Sequence, residues 1–214
     1  MKNLSKCLQV LAMFIVVGLS YLLGSIPFAF LLTRLSTGLD VRYLGSGNIG
    51  AANALRVTRL SLGLLVLVLD AMKGALAVML SVRINNHEAM GAWSAIFVVV
   101  GHLYPVWLKF HGGKGVSTAG GAFAVVSPAS TLVAFLCFIG TVAVTRFVSL
   151  GSVMATLALV LMLGINREST NVIIAGFAVS ALIVFRHRGN IGRLASGNER
   201  RLTSRMPVGG RDVI

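Results

Sequence analysis

The sequence predicts an all-α integral membrane protein, a seven-transmembrane-helix bundle in which one helix is short. Three observations predict this fold class. Hydrophobic residues make up 56% of the 214 residues and charged residues only 12%, about half the charged share of a soluble domain. Runs of about 20 apolar residues recur along the chain, and this is the length that crosses a bilayer. The basic residues, which give a net charge of +13, are distributed unevenly between the loops.

The first three helices follow from the first three apolar runs. The first run covers about residues 8–35 and is interrupted by Pro27. It is too long for the apolar part of a signal peptide, so we predict a retained helix that is kinked or tilted. The second helix is predicted over about residues 60–82 and the third over about residues 89–108.

Four more helices are predicted in the second half of the chain. The apolar stretch over about residues 116–144 contains Pro128, which favours two helices because proline breaks a helix interior. We therefore predict a short helix ending near Val126 and a longer one beginning near Ala129. The sixth and seventh helices are predicted over about residues 148–163 and 172–185.

The basic residues predict the orientation of these helices. Seven crossings with the N-terminus outside put the C-terminus and 14 of the 19 Lys and Arg residues on the cytoplasmic side, as the positive-inside rule requires. Those on the cytoplasmic side are Arg34, Arg42, Arg56, Arg59, Lys109, Lys114, Arg146, Arg186, Arg188, Arg193, Arg200, Arg201, Arg205 and Arg211. Those outside are Lys2, Lys6, Arg83 and Arg167, and Lys73 lies within the second apolar run.

This orientation gives the domain organisation and excludes one class of partner. We predict a single polytopic membrane domain over residues 1–199 and a basic cytoplasmic tail over residues 200–214. Because the positive-inside distribution accounts for the positive charge, we expect the lipid bilayer and no nucleic acid as a partner. Cys7 and Cys137 lie in or beside apolar runs and make neither a disulfide framework nor a metal site.

The first polar motif is GSGNIGAANALR, residues 45–56, whose glycines have the spacing of a dinucleotide-binding fingerprint. That fingerprint needs a preceding strand and an acidic residue about 20 positions later. Here an apolar membrane run precedes the motif and Asp70 lies inside the next run, so the dinucleotide interpretation fails. Two alternatives remain, a phosphate-binding loop and an ordinary glycine-rich turn. Donors for a phosphate are available from Ser46, Asn48, Asn53, Arg56 and Arg59.

The second motif is GHLYPVWLKFHGGKGVST, residues 101–118. It is not a Walker A sequence, because Gly115 follows Lys114 where Ser or Thr is required. Glycines on both sides of Lys114, at the start of a helix, favour a cradle for an anion, and a flexible loop is the alternative. The glycines concerned are Gly112, Gly113 and Gly115.

The third motif is RHRGNIGRLASGNE, residues 186–199, which contains His187, Asn190, Arg193 and Glu199. It is a site segment or a tail that binds acidic lipid headgroups. Its mixture of charges and amides favours the first interpretation.

Asp70 and Lys73 lie three residues apart on one face of the second helix. Ionisable residues inside a bilayer are candidates for function, and a mutually neutralising structural pair is the alternative. His102, at the end of the third helix, is a candidate of the same kind or a packing residue.

Together these motifs resemble the bacterial acyl-phosphate:glycerol-3-phosphate acyltransferase family, membrane enzymes of phospholipid biosynthesis. The resemblance extends from GSIPFAFLL near residue 24 to Glu199 and includes DAMKG at 70–74 and TRFVSLGS at 145–152. The sequence departs from the family at Ala52, where the first motif usually has Thr, so no phosphate contact is expected there.

The resemblance implies a seven-helix bundle in the bacterial inner membrane with its active site facing the cytoplasm. It implies transfer of an acyl group from acyl phosphate to glycerol 3-phosphate, which yields 1-acylglycerol 3-phosphate (lysophosphatidic acid) and phosphate. We expect no cofactor and no metal ion. No histidine is followed five positions later by aspartate, the dyad of commoner glycerolipid acyltransferases. A small membrane transporter of a phosphorylated solute is the alternative, since anion-binding loops and the charges of Asp70 and Lys73 would also serve it.

The resemblance also implies a role for each site residue. The expected catalytic residues are Arg56, Lys114, His187 and Asn190. The donor phosphate is expected to bind at Ser46, Gly47, Asn48, Gly50 and Asn53. Glycerol 3-phosphate is expected to contact Arg56, Lys114, Ser149, His187, Asn190 and Arg193, with the cradle of Gly112, Gly113 and Gly115 beside it and Glu199 as an orienting carboxylate.

Overall fold

The computed structural model describes residues 2–85 and 88–202, without the side chains of residues 2–10, 85 and 88. The described residues form ten α-helices and two short 3-10 turns, and they contain no β-strand. The helices are α1 (Lys2–Gly24), α2 (Phe28–Thr37), α3 (Ala51–Val57), α4 (Leu60–Asn85), α5 (Glu88–Leu103), α6 (Val116–Val126), α7 (Pro128–Thr145), α8 (Val148–Ile165), α9 (Thr170–Arg186) and α10 (Arg188–Ala195), and the 3-10 turns are Val41–Tyr43 and Val106–Leu108.

The prediction of an all-helical membrane protein is confirmed. In the part of the chain that the structure describes, five helical segments are long and apolar enough to cross a bilayer, and a sixth results if α9 and α10 count as one bent span. The five are Leu11–Thr37, Leu60–Ile84, Ala89–Leu108, Pro128–Thr145 and Val148–Ile165. The predicted short helix is α6, whose 11 residues extend only about 17 Å.

Prolines mark the helix boundaries. Pro27 separates α1 from α2 and Pro128 begins α7, both as predicted. The predicted third span over about residues 89–108 is confirmed; within it α5 ends at Leu103, before Pro105, and the 3-10 turn Val106–Leu108 completes it. Helix α10 was not predicted, because its sequence is polar and lacks an apolar run. The predicted tail is described only as far as residue 202.

Hydrogen bonds identify the two ends of the bundle. At one end Ser127, between α6 and α7, donates to Glu168 in the α8–α9 loop over 2.6 Å. Asn166 of the same loop donates to Ser130 over 2.9 Å. At the other end the Leu202 amide donates to the Arg146 carbonyl in the α7–α8 turn over 2.8 Å. Therefore α7, α8 and α9 each run from one end to the other.

Small residues allow the helices to pack closely around the core. A Cβ added to Gly74 of α4 would overlap the Thr118 backbone, and one added to Gly121 of α6 would overlap the Ala71 backbone. This close backbone approach is typical of helix contacts in membranes. Fully buried core side chains, among them Val98 of α5 and Phe123 of α6, fill the space beside the crossing and fix the position from which α6 begins.

Candidate active site

The loop before α3 is held by Asn53. The Asn53 side-chain oxygen accepts from the Ser46 amide over 2.8 Å, and its side-chain nitrogen donates to the carbonyls of Val41 and Leu44. Gly45 and Gly47 have positive φ angles of 59° and 69°, a conformation that favours glycine. The loop therefore has a defined shape that its own residues maintain.

Asn53 has a structural role in this loop. The residue is 1% exposed and its side-chain amide makes hydrogen bonds with three backbone partners, so it shapes the loop. The Gly47 amide is also occupied, by the Leu44 carbonyl. By contrast, the side chains of Ser46 and Asn48 make no hydrogen bond to any residue that the structure describes, and they remain available to a ligand. Gly50 caps α3 in an extended conformation.

The glycine-rich turn before α6 also differs from the prediction. The amides of Gly112 and Gly113 donate to the carbonyls of Leu103 and His102, so they are not available to an anion. Their own carbonyls accept from Arg186, over 2.8 Å and 3.1 Å. The two glycines thus belong to the support of the turn, whereas Gly115, with φ of 84°, caps the N-terminus of α6. The supported turn holds Lys114 just before α6.

Lys114 is joined to the third motif by a chain of hydrogen bonds. Its ammonium group donates to the Asn190 side-chain oxygen over 2.5 Å. The Asn190 side-chain nitrogen donates to Glu199 over 2.6 Å. Ser149, at the start of α8, donates to the same carboxylate oxygen over 2.8 Å, and Arg193 pairs with the other oxygen over 2.9 Å. The structure thus brings together five residues that the sequence analysis had selected.

These bonds assign orienting roles to Glu199 and Ser149. Burial alone would raise the pKa of Glu199, but the hydrogen bonds from Asn190, Ser149 and Arg193 outweigh it and hold the pKa below its usual value. The carboxylate is therefore ionised at neutral pH. Ser149, for which a contact with glycerol 3-phosphate is predicted, donates its hydroxyl proton to Glu199 and so helps to orient the carboxylate.

Lys114 is a partly buried cation in a cationic environment. Burial lowers the pKa of its ammonium group to about 8; the Glu199 charge opposes this shift, and the charges of Arg193, Arg56 and Arg186 add to it. An ammonium group that is this poorly solvated gains strongly from an anionic partner. Since these cations outnumber the carboxylate, the site attracts an anion.

His187 lies one residue beyond the end of α9 and is 2% exposed. Its Nδ1 atom is 2.8 Å from the Ile183 carbonyl oxygen. Because a carbonyl can only accept, Nδ1 carries the proton and Nε2 keeps its lone pair. Burial, followed by the Lys114 charge, lowers the pKa of His187 to about 4. The imidazole is therefore neutral at pH 7 and presents a hydrogen-bond acceptor.

Arg56 lies beside the segment that follows Glu199. Its Nη2 atom donates to the Arg200 carbonyl over 3.5 Å. Burial, and then the charge of Arg200, lower the pKa of Arg56. The sequence analysis had given no role to Arg200 or to Arg186. Arg200 lies just beyond the end of the third motif, whereas Arg186 is its first residue and could have been selected from it.

Asp70 and Lys73 form an ion pair of 2.8 Å in the buried interior. Lys73 also donates to the Ile26 carbonyl over 2.8 Å, and the His102 Nδ1 atom is 3.5 Å from Asp70. A cavity of about 10 Å³ lies beside the three side chains, about the space of one water molecule. These contacts favour the structural interpretation, since the pair links α4 to the α1–α2 junction and to α5.

The site as a whole has features that favour the binding of a phosphate group. It contains two glycine-containing loops in contact, since a Cβ on Gly113 would overlap the Ile49 carbonyl. The cationic groups have one carboxylate among them, that of Glu199, and both of its oxygens accept hydrogen bonds. A neutral imidazole supplies a general acceptor beside them. Such a set neutralises developing negative charge and orients a hydroxyl group.

Comparison with known proteins supports this interpretation. A sequence model of the glycerol-3-phosphate acyltransferase family matches residues 14–197. The glycerol-3-phosphate acyltransferase of Myxococcus xanthus is 47% identical over 188 residues, which are 86% of this chain and 96% of the relative. That of Aquifex aeolicus is 40% identical over 194 residues, 89% of this chain and 98% of the relative.

Two crystal structures have the same fold. Both are of PlsY (YgiH), an integral membrane glycerol 3-phosphate acyltransferase, in a glycerol 3-phosphate form and a lysophosphatidic acid form. The first has a TM-score of 0.85 at 39% identity and the second 0.83 at 38%, and each comparison covers 88% of this chain and 94% of the other. The family model and the extent of these identities lead to one conclusion: the chain belongs to the glycerol-3-phosphate acyltransferase family.

Proposed function

We propose that this enzyme transfers the acyl group of an acyl phosphate to the 1-hydroxyl of glycerol 3-phosphate, giving lysophosphatidic acid and phosphate for phospholipid biosynthesis. The observation that carries the proposal is the Lys114–Asn190–Glu199 network. It holds a poorly solvated ammonium group in a cationic site at one end of an apolar bundle. Both proposed substrates carry a phosphate group, and one has a hydrocarbon chain that suits the surrounding lipid.

The two phosphates are assigned to different parts of the site. The acyl phosphate group is held by the loop of residues 46–53, through the free side chains of Ser46 and Asn48. Glycerol 3-phosphate is held by Arg56, Lys114 and Arg193. The loops meet at Ile49 and Gly113, which supports a short distance between the two substrates. Positioning of this kind supplies a large part of the catalysis for a reactive donor.

In the reaction, the hydroxyl oxygen of glycerol 3-phosphate bonds to the acyl carbon, and the bond from that carbon to the phosphate oxygen breaks. The electron pair leaves with the phosphate. An acyl phosphate is a mixed anhydride with a good leaving group, so neutralisation by Lys114 and Arg56 is the main requirement. The attacking hydroxyl loses its proton during this reaction, and a base must accept that proton.

His187 orients that hydroxyl through its free Nε2 atom. With a pKa of about 4, the imidazole is too weak a base to hold the proton. A phosphate monoester has a second pKa of about 6 and is the better final acceptor. The proton therefore ends on a substrate phosphate while His187 fixes the direction of attack. Asn190 is catalytic through its bond to Lys114, and Glu199 positions Asn190 and Arg193.

We also propose seven crossings of the bacterial inner membrane, with the N-terminus outside and the active site facing the cytoplasm. The helices are then α1 with α2, α4, α5, the short α6, α7, α8 and α9. The separation of the Ser127–Glu168 and Arg146–Leu202 contacts supports this count, and the positive-inside distribution supports the orientation. Residues 1–199 make one membrane domain, and residues 200–214 begin at the site and continue as a basic tail.

Cysteine labelling in intact cells tests the topology. In a variant without Cys7 and Cys137, we expect a membrane-impermeant reagent to modify Arg167→Cys and not Ser196→Cys, since both positions are exposed at opposite ends. Labelling of both from outside would contradict the proposed count.

The activity is tested with purified protein in detergent, palmitoyl phosphate and glycerol 3-phosphate, by measuring lysophosphatidic acid. The proposed enzyme forms lysophosphatidic acid in this assay. A transporter of a phosphorylated solute would form no product, and after reconstitution it would move glycerol 3-phosphate into vesicles. The ion pair of Asp70 and Lys73, which a transporter would use, is occupied by structural partners.

A further inference from the structure

The segment after Glu199 is fixed over the site. The Leu202 amide donates to the Arg146 carbonyl over 2.8 Å, and the Arg201 guanidinium lies 5.7 Å from the centre of the Phe147 ring. Glu199 itself is held by Ser149, Asn190 and Arg193. Arg200 lies between these anchors, so its position is determined from both sides.

Two guanidinium donors at this place have no partner. Nε of Arg56 and Nη1 of Arg200 are buried and make no hydrogen bond to any residue in 2–85 or 88–202. A buried donor without a partner is costly, and one on a charged group is more costly still. Two neighbouring cations also repel each other. A bound anion would satisfy both donors and neutralise the repulsion.

The nearby carboxylate does not satisfy them. Both oxygens of Glu199 already accept hydrogen bonds, from Ser149, Asn190 and Arg193. An anion with several oxygens in a compact arrangement would satisfy both donors. Guanidinium groups bind phosphate in this way, through paired N–H donors.

We propose that Arg200 is a further substrate-binding residue, which with Arg56 holds the phosphate group of one of the two substrates. This inference rests on the proposed function for the identity of the anion, and the shared chemistry is a phosphate with two negative charges. It makes the first residue of the predicted tail a part of the site. The competing explanation is that Arg200 only supports Arg56 through its backbone carbonyl.

The two explanations differ for side-chain variants. Arg200→Ala keeps the carbonyl that accepts from Arg56 and removes the guanidinium. We expect a KM about ten- to a hundredfold higher for one substrate, as for loss of a hydrogen bond to a charged group, with a smaller change in kcat. A rise for glycerol 3-phosphate or for palmitoyl phosphate identifies which phosphate is held. Arg200→Lys should recover part of the loss through its charge.

Arg188→Ala is the matched control. Arg188 is exposed, and its guanidinium group contacts the ring and the carbonyl of Phe185. The substitution Arg188→Ala therefore removes the same charge without changing the site. Arg200→Ala kinetics equal to those of Arg188→Ala for both substrates would overturn the proposal.

Binding of inorganic phosphate gives a readout that needs no turnover. We expect phosphate to raise the unfolding temperature of the wild-type protein and Arg188→Ala alike, and Arg200→Ala to need about tenfold more phosphate for the same rise. Equal protection by phosphate of the wild type, Arg188→Ala and Arg200→Ala would overturn the inference. If protection depends on Arg200 and no acyl transfer occurs, the binding residue stands and the proposed function fails.

Discussion

Lys114 and Asn190, 76 residues apart, are joined by a hydrogen bond of 2.5 Å between the Lys114 ammonium group and the Asn190 side-chain oxygen. This bond connects the glycine-rich turn before α6 to α10. Because Asn190 also donates to Glu199, one carboxylate fixes the direction in which Lys114 presents its charge. The first prediction concerns this lysine.

Lys114→Ala should leave a folded protein with activity lower by about 100-fold or more, the loss expected when a single electrostatic donor is removed from a reaction centre. The measurement is the rate of lysophosphatidic acid formation, with the unfolding temperature recorded in parallel. Lys109→Ala is the control, since Lys109 is exposed and precedes the same turn. A Lys114→Ala protein as stable and as active as Lys109→Ala would show that the turn is only a connection between helices.

The pH dependence follows from the pKa of Lys114. Burial lowers that pKa to about 8, so the ammonium group is protonated below pH 8 and loses its charge above it. We expect kcat/KM, which reports the free enzyme, to fall above about pH 8. Lys114→Arg should lack this alkaline decline, because a guanidinium stays charged throughout the range. A wild-type profile that stays level well above pH 8, after correction for spontaneous hydrolysis of the donor, argues against a charged Lys114.

Ser46 and Asn53 should behave differently although both lie in the first loop. Ser46→Ala removes a free hydroxyl and should raise the KM for acyl phosphate by about 10- to 100-fold, with no change in unfolding temperature. Asn53→Ala removes three loop hydrogen bonds and should lower the unfolding temperature as well as the activity. The assignment of the donor phosphate to this loop is wrong if Ser46→Ala leaves that KM unchanged.

The buried ion pair of Asp70 and Lys73 is expected to stabilise the fold. Asp70→Asn leaves the Lys73 charge without its partner and should cost about 3–5 kcal/mol of stability, as for other broken buried pairs. The double variant Asp70→Asn/Lys73→Met should be more stable than Asp70→Asn alone. The control is Asp40→Asn, whose partner Arg42 is partly exposed, with an expected loss of about 0–1 kcal/mol. Equal losses for Asp70→Asn and Asp40→Asn, measured by thermal unfolding in detergent, contradict this structural role.

Much of the fold could be predicted from the sequence because bilayer thickness and proline act locally. Apolar runs located the long helices, and Pro27 and Pro128 located two of the breaks. The third span was located as far as Leu108, but its change from α-helix to a 3-10 turn around Pro105 could not be read from an apolar run. Helix α10 has no apolar run, and the contacts of its Asn190 and Arg193 with Glu199 help to hold it in place.

The site could be predicted as a set of residues but not as a set of roles. Spacing and residue type selected Lys114, Asn190, Arg193 and Glu199, which the structure brings together. They could not reveal that Asn53 or Ser149 is already occupied, because a hydrogen-bond partner is a property of the folded chain. The Arg56–Arg200 contact depends on a segment that lies over the site in space and has no motif of its own.

The most direct test of the central claim, an acyl phosphate donor and a glycerol 3-phosphate acceptor, is a comparison of two donors on the purified protein. Palmitoyl phosphate and palmitoyl-CoA are each supplied with glycerol 3-phosphate, and lysophosphatidic acid and free phosphate are measured together. The account predicts that palmitoyl phosphate gives equal amounts of both products and that palmitoyl-CoA gives neither. Comparable rates of lysophosphatidic acid formation from the two donors would contradict it.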